Sequence, residues 1–373
     1  MNTTGITIVT TNEEKKRFLE FPYSHYKDDP HFVPPLRMDQ KKLLDTRKNS
    51  FYKNAEVVTF IAEHNGEIAG RISATVDHRF NEHHGRKTGH FGFFECIDHQ
   101  PTADLLFRVA EDWLREKGME DVLGPASPGM MDVLGMLVEG FDKDPYIMMP
   151  YNKPYYDKLV KNVGYEVDME LLAFLMKLED IPWDRLERAK QIVYRRVPDL
   201  KFRTVNLKKM KEEIEIVREI YIKAWSDNWG FLPLTKDEFH DLAEDLKMIL
   251  DPEIAHIAEV DGKPVGFSIS LPNLNVIFKK LNGNLFPFGI FKVLFGKKKI
   301  PQVRTALMGV LPEYQGRGIE ALLNQQTIEL GSKKGYNEAE LSWVLASNKD
   351  MVRVAERLGA TVDKRYYMYR KEL

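Results

Sequence analysis

The feature that most limits how this chain can fold is that it repeats itself. Residues 60–70 read Phe-Ile-Ala-Glu-His-Asn-Gly-Glu-Ile-Ala-Gly, and residues 256–266 read His-Ile-Ala-Glu-Val-Asp-Gly-Lys-Pro-Val-Gly, an offset of 196 residues. In each, an apolar run meets Asn65-Gly66 or Asp261-Gly262, dipeptides that tolerate the positive φ of a two-residue hairpin turn, and a second apolar run follows. The likeness continues downstream. Helical apolar spacing over 105–117 stops at Gly118, and over 322–334 at Gly335. A later helix over 155–163 stops before Gly164, and one over 350–358 before Gly359. Strand-like runs at 171–178 and 365–370 close the halves. The order hairpin, strand, helix, strand, helix, strand occurs twice. The expected class is α/β (α+β), two tandem domains, each a mixed central sheet flanked by helices. Ile181-Pro182 sets the expected boundary, giving domains 1–180 and 181–373. The halves differ by insertions, around 125–150 in the first and within 273–302 in the second.

Composition narrows the function classes. The chain has 373 residues, with 54 Lys and Arg against 56 Asp and Glu, a formal charge of −2. That balance argues against a broad nucleic-acid surface, and no nucleic-acid partner is expected. A single cysteine, Cys96, excludes an internal disulfide and a cysteine-based zinc site. No apolar run reaches the roughly 18 residues of a membrane span. Residues 1–20 carry no signal-peptide pattern, so a cytoplasmic location is expected.

The strongest chemical signal is the segment 303–323. A strand runs to Leu311, Pro312 ends it, and Gln315-Gly316-Arg317-Gly318 precedes a helix that opens at Ile319. The two glycines let backbone N–H groups converge at a helix N-terminus, which makes an anion site. Arg317 adds a charge-assisted contact.

These residues resemble the GNAT superfamily of acyl-CoA-dependent N-acyltransferases, whose loop pattern is Gln/Arg-x-x-Gly-x-Gly/Ala. The resemblance extends over both halves and makes each a GNAT-like domain. It implies acyl-CoA or acetyl-CoA as co-substrate and no metal, with the diphosphate on Gln315, Gly316, Arg317, Gly318 and Ile319, and Asn348 near the pantetheine. It implies direct attack of an amine in a ternary complex, the backbone N–H near Val310 or Leu311 polarising the thioester carbonyl. Two positions depart from the family. The last Gly/Ala of the loop is Glu320, and the helix position that often carries a tyrosine acid is Ala355. Tyr366, Tyr367, Tyr369 or water are the remaining proton donors. In the first half the corresponding loop, 93–104, has no glycine and three acids, so the first domain is expected to be a degenerate copy without a cofactor site.

A carboxylate must take the amine proton. Glu259 and Glu340 sit in expected strands of the second half, and Glu340, Ser342 and Val344 alternate on one strand face. Trp225 and Trp229 are four apart, on one helical face, with Asp227 and Asn228 between them. They are candidate walls and polar contacts of an acceptor pocket, core packing being the alternative. His78, His83, His84, His90 and His99 lie in an expected loop whose spacing fixes no metal geometry.

Residues 275–300 contain six Lys, five Phe and no acid. Lysines interleaved with large apolar residues suit a membrane interface, so peripheral contact through 275–300 is expected, a self-packed flap being the alternative. The acceptor is then expected to be a small-molecule or lipid-like amine. Some two-domain members of the superfamily are bacterial ceramide-synthase-like enzymes, and the chain resembles that group. The competing readings are a non-catalytic acyl-CoA-binding protein and a transferase using aminoacyl-tRNA.

Overall fold

The computed structural model describes residues 4–247 and 249–373. The chain forms two compact units, one of Met1–Leu171, Phe278–Ile290 and Lys364–Leu373, the other of Leu172–Ile277 and Phe291–Asp363.

Both hairpins form as the dipeptides require. Asn65 and Gly66 have φ of 54° and 84°, and Asp261 and Gly262 have φ of 50° and 72°. The turn joins Ala55–His64 to Glu67–Asp77 in the first unit, and Ala255–Val260 to Lys263–Pro272 in the second. Even the irregularity repeats, since the ladder shifts register at Ala62/Glu63 and at Ala258/Glu259.

In the first unit the strand order is Thr4–Ile8, Ala55–His64, Glu67–Asp77, Thr88–Cys96, Asp121–Gly124, Thr361–Glu372. Helix Gln100–Glu116 buries Ala103, Leu106, Phe107, Ala110 and Leu114, a stripe at three- and four-residue spacing, against this sheet. In the second unit the order is Glu166–Lys177, Glu338–Leu345, Gln302–Val310, Lys263–Pro272, Ala255–Val260, Leu200–Thr204. Helix Ile319–Lys333 covers one face with Ile319, Leu322 and Leu323. Helix Met210–Trp225 covers the other, where a Cβ on Gly309 would meet Ala224 Cβ at 3.1 Å.

The division differs from the one expected at 180/181. Strand Glu166–Lys177 is continuous and enters the second sheet from Leu172 on. The last strand of the chain serves the first unit, with Tyr369 opposite Gly124 and Glu372 opposite Asp121. The halves of the repeat therefore do not close themselves. Local patterns specify a strand, but the partner along its edge is a tertiary choice. The insertion also splits. Phe278–Ile290 joins the first unit, where Gly283 accepts Arg37 N–H at 2.9 Å and Lys279 pairs with Asp144 at 2.6 Å. Residues expected in a loop at 78–84 form helix His78–His84, which Asp77 caps through the N–H groups of Arg79 and Phe80.

Candidate functional site

Strands Gln302–Val310 and Glu338–Leu345 run parallel and pair only from Gln302↔Glu338 to Thr305↔Leu341. Beyond that point they part, and a wedge opens in the sheet. Leu311 N–H donates to Val265 O at 2.8 Å, so Leu311 and Gly309 face the neighbouring strand. Because residues alternate edges along an antiparallel ladder, Met308 and Val310 face the wedge. Two side chains take their carbonyls. Trp225 Nε1 donates to Met308 O at 2.9 Å, and Gln315 Nε2 donates to Val310 O at 2.9 Å. The Val310 N–H is thereby presented to the wedge, while the Leu311 N–H is already used. Of these two amides, only that of Val310 faces the wedge.

From Val310 the chain turns into the glycine loop. Gln315 is extended, Gly316 and Gly318 have φ of 69° and 93°, and helix Ile319–Lys333 starts at once. Gly318 is doubly required, since a Cβ there would also lie 2.6 Å from Val193 Cγ2 on helix Trp183–Arg196. Ile319 is buried, so only its backbone is available at the loop. The Arg317 guanidinium is exposed and lies 5.2 Å from the Tyr314 ring centroid, free of the core and close to the loop. Glu320 does not point away. Its carboxyl lies near enough to the N–H of Gly316 and of Glu320 itself for both to lower its pKa. Burial raises its pKa above the ordinary carboxylate value, those amides oppose the rise, and Asp350 adds to it. A side-chain carboxyl therefore lies near the amides that an anionic ligand would use. Asn348 caps helix Lys349–Arg357, its Oδ1 accepting from Met351 N–H at 3.1 Å, so its NH2 is what it can offer a ligand.

At the apex of the wedge lies a buried polar cluster. Arg304 Nε donates to Ser342 Oγ at 2.8 Å, and Ser342 Oγ donates to Glu340 Oε1 at 2.6 Å. Arg304 and Glu340 are cross-strand partners, and all three are at most 4% exposed. Ser342 is the first residue beyond the last strand pair. Glu259 is placed differently. Arg203 Nε holds it at 2.7 Å and bridges on to Glu213 at 2.7 Å, so it is committed to an ion-pair network. Arg304 went unnoticed in the sequence, although a lone arginine in a strand opposite Glu340 is a legible signal.

Helix Met210–Trp225 ends at Trp225, and Gly230 at φ 66° lies in the turn beyond. Trp229 therefore shares no helical face with Trp225, and that expectation is corrected: Asn228 N–H bonds back to Trp225 O in a turn, and Asp227 is exposed. What helices Met210–Trp225 and Lys236–Lys247 do enclose is a small apolar cavity of about 60 Å³. Helices Met210–Trp225 and Lys236–Lys247 line it with Ile214, Val217, Phe239 and Leu246, and the sheet contributes Ile269 and Leu307. It escaped the sequence reading because its lining comes from four separate segments.

The first unit has the same wedge, filled. Thr88–Cys96 pairs with Asp121–Gly124 only from Thr88↔Asp121 to His90↔Leu123. Cys96 stands opposite Gly70 as Val310 stands opposite Gly266. Its N–H, the counterpart of the Val310 N–H, is taken by Tyr156 Oη at 2.9 Å. The Tyr156 hydroxyl donates to Glu95 at 2.8 Å, and Tyr26 binds the same carboxylate. Burial raises the Glu95 pKa, against the lowering effect of Arg71 and the two tyrosines. Residues of the first insertion enter the gap, where Phe93 N–H donates to Ser127 Oγ at 2.8 Å and a Cβ on Gly92 would meet Ala126 O at 2.0 Å. The C-terminal tyrosines also belong to this unit. Tyr366 is fully buried, Tyr369 donates to Asp157 at 2.6 Å, and the Tyr367 ring lies beside Lys161. Ala355 packs in the second unit's core with Leu341 and Leu358. Among the described residues no group of three or more His, Cys, Asp or Glu converges as a metal site, and no helix is long and apolar enough to cross a membrane.

Residues 214–360 match the Acetyltransferase (GNAT) family. The chain is 37% identical to Protein YghO of Escherichia coli (strain K12), over 96% of this chain and 93% of that one. It is 36% identical to the Bacterial ceramide synthase of Caulobacter vibrioides, over 98% and 96%. The tandem GNAT protein from the clavulanic acid biosynthesis pathway shares the fold, with a TM-score of 0.57 and 11% identity over 99% of this chain and 98% of that one. The chain belongs to the GNAT family. It is an acyltransferase built from two tandem GNAT folds.

Proposed function

We propose that the second unit transfers an acyl group from acyl-CoA to the amine of a lipid-like acceptor. The observation that carries this reading is the wedge itself: one strand edge presents the Val310 N–H and leads directly into the Gly316–Gly318 amides. A thioester carbonyl at the first and a diphosphate at the second fit a single extended ligand. The similarity to a protein named Bacterial ceramide synthase supports a long-chain amine as acceptor.

The chemistry follows from the groups present. The neutral amine attacks the thioester carbon and a C–N bond forms. Val310 N–H stabilises the oxyanion. Ser342 already receives Arg304 and donates to Glu340. The amine proton goes to the Glu340 carboxylate that this hydroxyl contacts. The C–S bond then breaks, and with Ala355 in the tyrosine position the thiolate takes its proton from water. Glu340 is the proton acceptor, and Arg304 and Ser342 act as positioning residues.

The test is calorimetry with coenzyme A together with a free-thiol release assay, using acetyl and long-chain acyl-CoA against short and long-chain amines. Release should depend on the long-chain amine. Ser342→Ala should lower kcat about 100-fold with CoA affinity unchanged. Binding of CoA without amine-dependent thiol release in any pairing would overturn the proposal.

A further inference from the structure

Fourteen large apolar side chains are exposed among the described residues, and five of them fall within ten consecutive positions: Phe286, Phe288, Phe291, Leu294 and Phe295. Each is between 55% and 76% exposed, so the self-packed flap is not what forms. Phe291, Leu294 and Phe295 stand at i, i+3 and i+4 on helix Gly289–Gly296, which places them on one side of it. The segment is held in place. Arg37 donates to Asn282 O at 2.6 Å, and Lys297 donates to Leu250 O at 3.0 Å. Lys280, Lys292, Lys298 and Lys299 around it are exposed, and residues 275–300 contain no carboxylate.

We infer that this segment docks the protein on an anionic lipid bilayer. The charge decides the occupant. Lys279 is paired with Asp144 and Lys297 is bonded to Leu250 O, which leaves Lys280, Lys292, Lys298 and Lys299 exposed beside this run of exposed aromatic side chains, in a chain of formal charge −2. Rings of that size settle at the boundary between headgroup and acyl chain, while ammonium groups a few residues away meet lipid phosphates. The helix is short, eight residues and about 12 Å long. Docking is independent of the acyl-transfer reading, because it is measured without turnover.

The experiment is flotation of the full chain with phosphatidylcholine vesicles, with and without phosphatidylglycerol. The wild type should float with the anionic vesicles, and less so as salt rises. The combined variant Phe291→Ser, Leu294→Ser, Phe295→Ser should lose at least about tenfold in partitioning, as should Lys292→Glu, Lys298→Glu, Lys299→Glu. All six side chains are solvent-exposed, so far-ultraviolet circular dichroism and the melting temperature should not change. Failure of the wild type to float, or equal flotation of folded variants, would overturn the inference. So would a wild-type dimer in sedimentation that the serine variant splits, since the patch would then cover a second copy of the chain.

Discussion

The sharpest prediction concerns Glu320, whose carboxyl lies near the N–H of Gly316 and of its own residue. A diphosphate bound to that loop must lie about 5 Å from it. Two unit charges at that distance repel by about 3 kcal/mol at an effective dielectric near 20, and by about 1 kcal/mol in bulk water. The group is only partly buried, so the lower end applies, and Glu320→Gln should tighten CoA binding about fivefold. The pH dependence carries its own sign. Burial raises the folded pKa, and a bound anion raises it further, so binding takes up a proton. Wild-type affinity should rise as pH falls from neutral toward the ordinary carboxylate range. The ratio of variant to wild-type affinity cancels the titration of CoA itself, and it should shrink toward one over that window. In the absence of ligand, a raised pKa contributes stability that is present below the unfolded carboxylate value and lost as pH rises through the folded one, so Gln should gain on Glu at neutral pH. Isothermal calorimetry across pH with both proteins checks this. Equal or weaker binding by the Gln variant, or a ratio flat with pH, would refute the placement of the carboxyl near the nest.

Two further predictions follow from the same loop and its support. Gly318→Ala combines a φ of 93° with a 2.6 Å approach to Val193 Cγ2, whereas Gly316→Ala at φ 69° meets open space. The first should cost about 2–3 kcal/mol and the second about 1 kcal/mol in denaturant unfolding, a reversed order being the refuting result. Asp251 accepts Lys334 at 2.7 Å, Tyr336 at 3.1 Å and Glu253 N–H at 3.2 Å. Burial resists its ionisation, but these contacts outweigh it and depress the pKa. Its contribution is present above the ordinary carboxylate value and lost as pH falls through the depressed one. Asp251→Asn should therefore melt lower at neutral pH, by about 1–3 kcal/mol, with the difference closing in acid.

Much of the fold is legible in local chemistry. The hairpins at Asn65-Gly66 and Asp261-Gly262, and the strand, glycine loop and helix around Gly316–Gly318, depend on neighbours within a few residues. A turn's φ and a helix's first amides are set at that range. The sequence alone also tells the two copies apart, because a loop without glycine cannot gather amides. What decided the rest lies far along the chain. Cys96 and Val310 occupy the same place in the repeat, yet one amide is capped by Tyr156 and the other faces the wedge. Nothing near Cys96 in sequence announces a hydroxyl sixty residues away. In the same manner the last strand leaves its own copy to pair with Asp121–Gly124, and Arg304 finds Ser342 and Glu340 on another strand. Edge pairing and buried polar contacts are competitions among distant partners, settled by which packing leaves the fewest unsatisfied groups, and only the assembled chain holds that competition.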